Sequence, residues 1–410
     1  MKQLIASTLK PAQFIGLSFF ISASCLSINA NANDASSKKT HLTAQLVDIK
    51  SIDTATAPSS LSNTFKPNPK VSTRLDFTIW SDWLKANVLY AGPSIRKLAP
   101  SAVSPASRQT GSRFIVGHKS RYRFEGNKIP YRTMQEAHEN FLPVYQKDLE
   151  ALSDTLDITS LSRNDQLAYW FNLHNVALIN IIADHSPVRR PGKIKPIKGD
   201  NSQLHDAKVV TVNGHNMSLR DIREKIVYAN WSDSIVIYGF HHGILGGPNI
   251  NYHAYDRHNI GELLRENAEE FTNSFRGYRE GKISPIYKDA SQFYFPEGKT
   301  DIRDHLKRFM RDEIYTELSS YKRLKWQKPI SDVASLSSGR VNGLGRIVTS
   351  RDPRSGQELA VFVPIYVTEA LQARDNSIRT AKKRGWLPDN KVTIEDVETN
   401  DSRQASPEIK

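Results

Sequence analysis

The chain has 410 residues, of which 39% are hydrophobic, so it is long and apolar enough to form one large domain with extensions, or two domains. Its formal net charge is +13, but the basic residues are dispersed and accompany no zinc-finger or RNA-binding motif, so nucleic acid is not an expected partner. Two interpretations of the charge stay open: attraction to anionic components of a cell envelope, or solubility alone.

Residues 1–32 have the features of a secretory signal peptide. A short apolar stretch at 14–21 follows two lysines, and an A-x-A pattern ends at Ala32. That stretch is too short to cross a bilayer as a helix, and no later run of apolar residues predicts a transmembrane span. We therefore expect cleavage after Ala32 and a periplasmic or secreted protein.

Cys25 is the only cysteine of the chain, and it lies within the predicted signal peptide. A lipoprotein in which Cys25 is acylated is the less favoured alternative, because the residue three positions before it is not apolar. Cleavage after Ala32 leaves no thiol, and therefore no disulfide, no thiolate nucleophile and no cysteine metal ligand.

The first part of the expected mature chain is polar. Residues 33–70 are rich in Ser, Thr, Ala, Asn and Pro and are predicted to form a flexible leader. Ordered structure is expected to begin near Asp76, and the alternation at 121–129 predicts a hairpin. Amphipathic spacing over 134–152 predicts a helix.

The strongest helix signal is the stretch SLSRNDQLAYWFNLHNVALINIIADHSP. Ser162 and Asp165 predict a capping box at its start, and Pro187 ends it. Its apolar residues fall on one face, so we expect it to be buried on one side. Further helices are predicted at 219–229, 259–275 and 301–318, and strands at 209–212, 235–240 and 293–296.

Strands and helices mix along the chain without strict βαβ alternation. The expected fold class is therefore α+β, with helices packed on a small β-sheet in one main domain at 71–330. A C-terminal extension at 331–390 is predicted to contain a strand at 358–367 and a basic helix at 369–384, followed by a disordered tail at 391–410. We expect the extension to pack on the main domain, because one face of its strand is apolar and needs cover. That face consists of Leu359, Val361, Val363 and Ile365.

Polar side chains interrupt the long predicted helix. Asn172, His174 and Asn175 lie within one turn, where unpaired amides would be costly. In one interpretation the amides tie loops or strand ends to the helix; in the other, Asn172 or Asn175 orients a ligand or a catalytic imidazole. His174 lies on the apolar face, which favours a hydrogen-bonded core histidine over a general base.

His241 and His242 follow the predicted strand at 235–240. Adjacent side chains on an extended chain point to opposite sides, so at most one of them is expected to face the core or a cleft. A metal site would require three histidines to converge, and their spacing matches no zinc pattern, so we predict neither a metal nor a cofactor. The histidines concerned are His174, His185, His241, His242, His253 and His258.

Four segments within residues 120–280 resemble, in order, the family described as domain of unknown function 547 (DUF547). They are LAYWFNLHNVALINIIADHSPV, VNGHNMSLRDIREKI, IVIYGFHHGILGGPNI and IGELLRENAEEFTNSF. The resemblance implies an exported or envelope-associated protein with an α+β core and no established chemistry. It also implies a family site with one histidine and two cysteines, which has invited comparison with cysteine hydrolases.

The chain departs from this family pattern at the expected site. Alignment on the proline of the family site places Ile237 at the histidine, and His242 and Gly247 at the two cysteines. Arg223 stands where the resemblance implies a glutamate, and His174 stands where it implies a tyrosine. Because an imidazole cannot simply replace a thiolate nucleophile, a cysteine hydrolase mechanism is not expected here.

Two functions follow as hypotheses. The first is a binding or envelope-associated factor for an unknown small molecule, a protein or anionic envelope components. The second is a hydrolase of amide or ester bonds in which His242 is the general base, oriented by Asn172 or Asn175. His174 and His241 are further candidates for ligand binding. Hydrogen-bond reach between His242 and one of the asparagines would favour the hydrolase, and apolar packing around His242 would disfavour it.

Overall fold

The computed structural model describes residues 60–101, 118–131, 135–338, 345–351, 358–387 and 407–409. Within these ranges the fold is α+β, as predicted, because helices dominate and the strands form small sheets. The helices are α1 (Leu61–Thr64), α2 (Thr78–Asn87), α3 (Gln135–Thr155), α4 (Arg163–Asp184), α5 (Leu219–Asp221), α6 (Tyr228–Asn230), α7 (Ile260–Thr272), α8 (Ile286–Asp289), α9 (Ser291–Tyr294), α10 (Lys299–Lys307), α11 (Asp312–Ser320) and α12 (Ile365–Lys383). The strands are β1 (Lys208–Val212), β2 (His215–Ser218), β3 (Tyr278–Arg279), β4 (Lys282–Ile283), β5 (Lys325–Trp326), β6 (Gly345–Arg351) and β7 (Glu358–Pro364).

Helix α4 lies at the centre of the core. The hydroxyl of Ser162 accepts the backbone N–H of Asp165 at 3.2 Å, which confirms the predicted start of the helix. The prediction that α4 is buried on one side is wrong, because every residue from 164 to 183 except Asn180 is buried. Helix α3 packs along α4, and the backbone around α5 covers another side, so polar positions of α4 are enclosed as well.

A β-hairpin leads into the segment that carries Arg223. Strands β1 and β2 pair antiparallel across the Asn213-Gly214 turn, and both turn residues have positive φ, 49° and 73°. Asn-Gly adopts such a turn at low cost, which confirms the predicted strand and turn. Ser218 and Asp221 form a capping box at the start of α5, and the helix continues through a π-helical turn (Ile222–Val227) into α6.

The run 235–240, predicted to be a strand, is helical. It forms a 3₁₀ helix at Ser234–Gly239, whose start is stabilised because the Asp233 carboxylate accepts the N–H of Ile235 at 3.0 Å. The apolar residues of this run are buried whichever way they point. In a short run that is apolar throughout, the spacing of hydrophobic residues therefore cannot distinguish a strand from a helix.

Three other predicted elements also differ from the structure. The predicted strand at 293–296 overlaps α9, and the predicted helix at 301–318 is divided between α10 and α11. Residues 121–126 form turns instead of one arm of a hairpin, and Lys128 and Ile129 make isolated bridges to Leu89 and Ser335. In each case long-range packing overrides a weak local pattern.

The described part of the predicted leader contacts the main body. Phe65 is only 3% exposed, and its ring centroid lies 5.0 Å from that of Trp170. The backbone N–H of Asn68 donates to Thr159 O at 2.8 Å. Ordered structure therefore begins earlier than Asp76, while the predicted signal peptide lies outside the described residues. Within the described ranges, no helix has both the length and the apolar character that a bilayer span requires.

The C-terminal extension forms a hairpin and a helix. Strands β6 and β7 pair antiparallel, and α12 begins directly after β7, so the strand ends earlier than predicted. Helix α12 contacts the main body through Ser377, whose hydroxyl donates to the carbonyl of Pro93. On the face predicted to need cover, Val363 is partly buried and Ile365 is 42% exposed, and the side chains of Leu359 and Val361 lie outside the described residues.

Candidate functional site

Three histidines surround the guanidinium of Arg223. Its Nη1 lies 3.0 Å from His174 Nε2 and 3.4 Å from His205 Nδ1, and the ring centroids of His205 and His242 are 5.8 Å apart. We call these four residues the Arg223 cluster. Helix α4, the segment before β1, the π-helical turn and the segment after the 3₁₀ helix each supply one side chain, so only the tertiary fold brings them together.

The local backbone explains why Arg223 points inward. The capping box formed by Ser218 and Asp221 sets the start of α5, and Arg223 is the second residue of the π-helical turn that follows. A π-helical turn inserts one extra residue per turn, and such turns are frequent at functional sites. Arg223 is left only 5% exposed.

The cluster is closed at one end and open at the other. His174, on α4, is completely buried. His205 and His242 are partly exposed. A ligand would therefore approach Arg223 from the side of His205 and His242.

The hydrogen bonds determine which ring nitrogens carry protons. A guanidinium only donates, so His174 Nε2 and His205 Nδ1 both accept from Arg223. His174 then carries its proton on Nδ1, which donates to Asn175 Oδ1 at 3.0 Å. Neutral His205 carries its proton on Nε2, which leaves this N–H as a further donor.

At neutral pH the cluster holds one formal charge. Burial, and next the positive charge of Arg223, lower the pKa of His174, His205 and His242 well below the usual histidine value. All three imidazoles are therefore neutral, and the positive charge resides on Arg223. Burial lowers the pKa of Arg223 as well, but a guanidinium remains protonated in proteins.

Within the described part of the chain, no carboxylate forms an ion pair with Arg223. The neighbouring carboxylates of Asp206 and Glu224 pair instead with Arg220, at 2.6 Å and 3.2 Å. Buried charges are normally paired, because removing a charge from water is costly. Arg223 is therefore a buried cation whose described hydrogen-bond partners are neutral, while the carboxylates of Glu224 and Asp289 act on it through space only.

The two asparagines of α4 bind backbone groups. Asn172 donates from Nδ2 to Tyr255 O at 2.8 Å and accepts the N–H of Tyr255 at 3.1 Å. Asn175 donates to Gly239 O at 3.1 Å and accepts the N–H of His241 at 3.0 Å. These bonds tie two separate segments to α4, which is the structural interpretation that the sequence left open.

His241 and His242 lie in different environments. His241 is buried, and its Nδ1 donates to Pro248 O at 3.0 Å. His242 packs against Gly247 and is partly exposed, and its Nε2 is buried without a hydrogen-bond partner among the described residues. No described hydrogen bond joins His242 to Asn172 or Asn175, so its role as a general base stays a prediction.

Sequence reasoning missed His205 and did not assign Arg223 to the site. His205 lies outside every predicted element, so no local signal marks it. Arg223 was noted only as a departure from the family pattern, although an arginine within an apolar helix is itself unusual. Among the described residues, no group of three or more His, Cys, Asp or Glu side chains is arranged to hold a metal ion.

Replacing Asn175 by alanine is expected to destabilise the protein by about 3 kcal/mol, because one buried acceptor, the carbonyl of Gly239, and two buried donors, His174 Nδ1 and the N–H of His241, lose their partner. Urea unfolding measures the change. Asn180→Ala is the matched control, since Asn180 lies on the same helix but is partly exposed and bonds to Gln146. Equal losses in the two variants would contradict the role given to Asn175.

The family comparison covers the segment that holds the Arg223 cluster. Residues 158–272 match the model described as "Protein of unknown function, DUF547", and this range runs from the approach to α4 to the end of α7. No match was found among curated proteins or among solved structures. The matched range contains all four cluster residues and, except for residues 273–275, the segments that carried the resemblance, so the match supports the assignment of residues 158–272 to DUF547.

Proposed function

We propose that this protein is an exported binding protein that holds an anionic group at the Arg223 cluster. The observation that carries the proposal is the buried guanidinium of Arg223, whose described partners are two neutral imidazoles. An anion would supply the counter-charge. Arginine suits this role because its planar fork of N–H donors matches carboxylate and phosphate oxygens.

Two neighbouring groups support a bound ligand at this position. The proton assignment leaves the Nε2–H of His205 as a donor beyond its bond with Arg223. His242 Nε2 is buried without a described partner, and buried polar atoms are normally hydrogen-bonded. Both residues lie on the partly exposed side of the cluster, where an oxyanion could reach all three side chains.

Export is supported by the sequence of residues 1–32. Removal of residues 1–32 takes away two lysines, Lys2 and Lys10, so the net charge falls by 2, from +13 to +11. In a cell envelope, such a basic protein meets anionic ligands such as phosphorylated or carboxylated head groups. The expected N-terminus of the mature protein follows Ala32. Intact-mass measurement of the protein isolated from its native compartment tests this, and a chain that retains residues 1–32 would contradict export.

The geometry favours binding over hydrolysis. A general base needs an orienting partner, and His242 has no described hydrogen bond to Asn172 or Asn175. If the signal peptide is removed, the mature chain also lacks a thiol nucleophile. The hydrolase hypothesis therefore has less support than the binding hypothesis.

Anion binding is tested by thermal unfolding in phosphate, sulfate or citrate against chloride at matched ionic strength. Anions that bind the folded protein raise Tm with a saturable dependence on concentration, over and above the general stabilisation by salts that are excluded from the protein surface. Arg223→Met is expected to abolish the saturable part of the rise. Arg223→Lys keeps the charge but loses the fork of donors, so we expect a weakened response.

Arg220→Met is the matched control, because it removes a positive charge from the next helical turn without touching the buried guanidinium. It should retain the response to anions. Equal stabilisation of the wild type and Arg223→Met, or no stabilisation of the wild type by any of the three anions, would contradict the proposal.

A further inference from the structure

The last described residues of the chain lie against the start of α4. Asn164 donates from Nδ2 to the carbonyl of Pro407 at 3.3 Å, and its Oδ1 accepts the N–H of Ile409 at 3.2 Å. The side chain of Ile409 packs against the hydrophobic core. Two hydrogen bonds between the Asn164 side chain and the backbone of residues 407–409, together with the apolar contact of Ile409, therefore hold this segment.

The spacing of the two hydrogen bonds is that of an extended strand. In an extended chain, the C=O of one residue and the N–H of the second residue after it lie along the same edge. The amide of Asn164 pairs with both groups and so replaces a residue of a neighbouring strand. Asn164 therefore binds the backbone of the segment, as in strand addition to a sheet edge, and does not depend on which side chains the segment carries. Selectivity comes from the side chain of Ile409, which packs against the core.

The neighbours of Asn164 hold it ready for this contact. Asn164 is 2% exposed, although it lies in the first turn of α4. The adjacent Asp165 forms an ion pair with Arg257 at 2.7 Å, and Asn164 Nδ2 also lies 3.5 Å from the carbonyl of Arg257. With residues 407–409 in place, Asn164 lies between the start of α4 and the segment at Arg257, and we call this position the notch.

We propose that this notch is a binding site for the C-terminal segment of the same chain, in which Asn164 recognises the backbone and Ile409 is the anchor. The occupant is the segment seen there, and residues 388–406 connect it covalently to α12 and its following turn. Asn164 and His174 are separated by about 15 Å along the axis of α4. The notch is therefore distinct from the Arg223 cluster, and either proposal can fail without the other.

The proposal is tested on the full chain by digestion with a carboxypeptidase of broad specificity, followed by intact mass. The wild type is expected to release Ile409 at least ten times more slowly than a free peptide with the sequence of residues 401–410. Asn164→Ala should remove most of this protection, and Asn180→Ala, on the same helix but bonded to Gln146, should retain it. Release at the same rate from the wild type and the free peptide would overturn the proposal.

A second measurement covers the case in which Asn164→Ala does not fold. Hydrogen exchange of the C-terminal peptide within the wild-type chain should be slower than in the free peptide, and Ile409→Ser should remove the difference while circular dichroism stays unchanged. Equal exchange in the chain and the free peptide would contradict the site. Protection that falls on dilution would show that a second copy supplies the segment, and would overturn the assignment to the same chain.

Discussion

Replacing Gly239 by alanine is expected to lower the free energy of unfolding by about 3 kcal/mol or more. A Cβ at this position would lie 2.6 Å from Cε2 of Phe171 and closer still to Cζ. The ring of Phe171 is completely buried, with the rings of Phe240 and Tyr255 at centroid distances of 4.8 Å and 4.9 Å. It cannot move aside without displacing other close-packed rings.

The same substitution should also disturb the site, since the carbonyl of Gly239 accepts the hydrogen bond from Asn175. Urea denaturation monitored by circular dichroism measures the loss. Gly192→Ala is the control, because no atom lies within 4 Å of a Cβ added there. A midpoint for Gly239→Ala equal to that of the control would show that the core at Phe171 is looser than the structure indicates.

Acidification from pH 6.5 to pH 3 is expected to remove several kcal/mol of stability through buried histidines. Burial, with nearby arginines, lowers the pKa of His241 to about 4 and that of His305 to about 3, from 6.5. His305 lies 2.7 Å from the hydroxyls of both Ser234 and Tyr238 and is packed among aromatic rings. Both ring nitrogens of neutral His305 therefore have a hydrogen-bond partner.

The sign of the effect follows from where each state binds protons. Below pH 6.5 the unfolded chain protonates these histidines, whereas the folded protein does not until its lower pKa values are reached. Their stabilisation is thus complete above pH 6.5 and is lost progressively as the pH falls from 6.5 to about 4 for His241 and to about 3 for His305. The shifts correspond to roughly 3 kcal/mol for His241 and roughly 5 kcal/mol for His305.

Carboxylates affect a different part of the pH range or act with the opposite sign. The pKa of Asp221 is lowered despite its burial, by hydrogen bonds from Lys208, Lys225 and Ser218, so its contribution is lost only below the usual range of aspartate. Burial raises the pKa of Glu125, which stabilises the fold on acidification. The pH dependence of urea unfolding between pH 6.5 and 4.5 is therefore a net effect, from which a single histidine is isolated by comparing the wild type with a variant that lacks it.

His305→Gln should make the pH dependence in that interval shallower by the share of one histidine, while the introduced glutamine keeps polar atoms near Ser234 and Tyr238. Four other histidines keep their lowered pKa values, namely His174, His205, His241 and His242. His185→Gln, at the exposed C-terminal end of α4, serves as the control for replacing a histidine outside the core. Parallel curves for the wild type and His305→Gln would refute the assignment of acid sensitivity to His305.

Three departures from the family pattern lie together in space. Arg223, His174 and His242 stand where the resemblance implies a glutamate, a tyrosine and a cysteine. The structure places Arg223 against His174, and the charge of Arg223 lowers the pKa of His242. These departures therefore meet in one cluster, the one proposed above to hold an anionic group.

Several features of this protein were determined by the sequence alone. Ser162 and Ser218 start helices because their hydroxyls reach backbone N–H groups within three residues, and Asn213-Gly214 turns because both residues tolerate positive φ. The α+β class and the resemblance of residues 158–272 to DUF547 also followed from the chain itself. These signals are local or lie in a contiguous segment, so they do not depend on what packs against them.

The tertiary structure alone decided the rest. The run 235–240, predicted to be a strand, is helical as far as Gly239. Because its apolar residues are buried on all sides, the sequence shows no hydrophobic period that would distinguish a helix from a strand. The meeting of Arg223 with His205, and of Asn164 with Ile409, joins segments that are distant in sequence. Such contacts depend on the packing of α4 within the whole core, and no local pattern of residues records that packing.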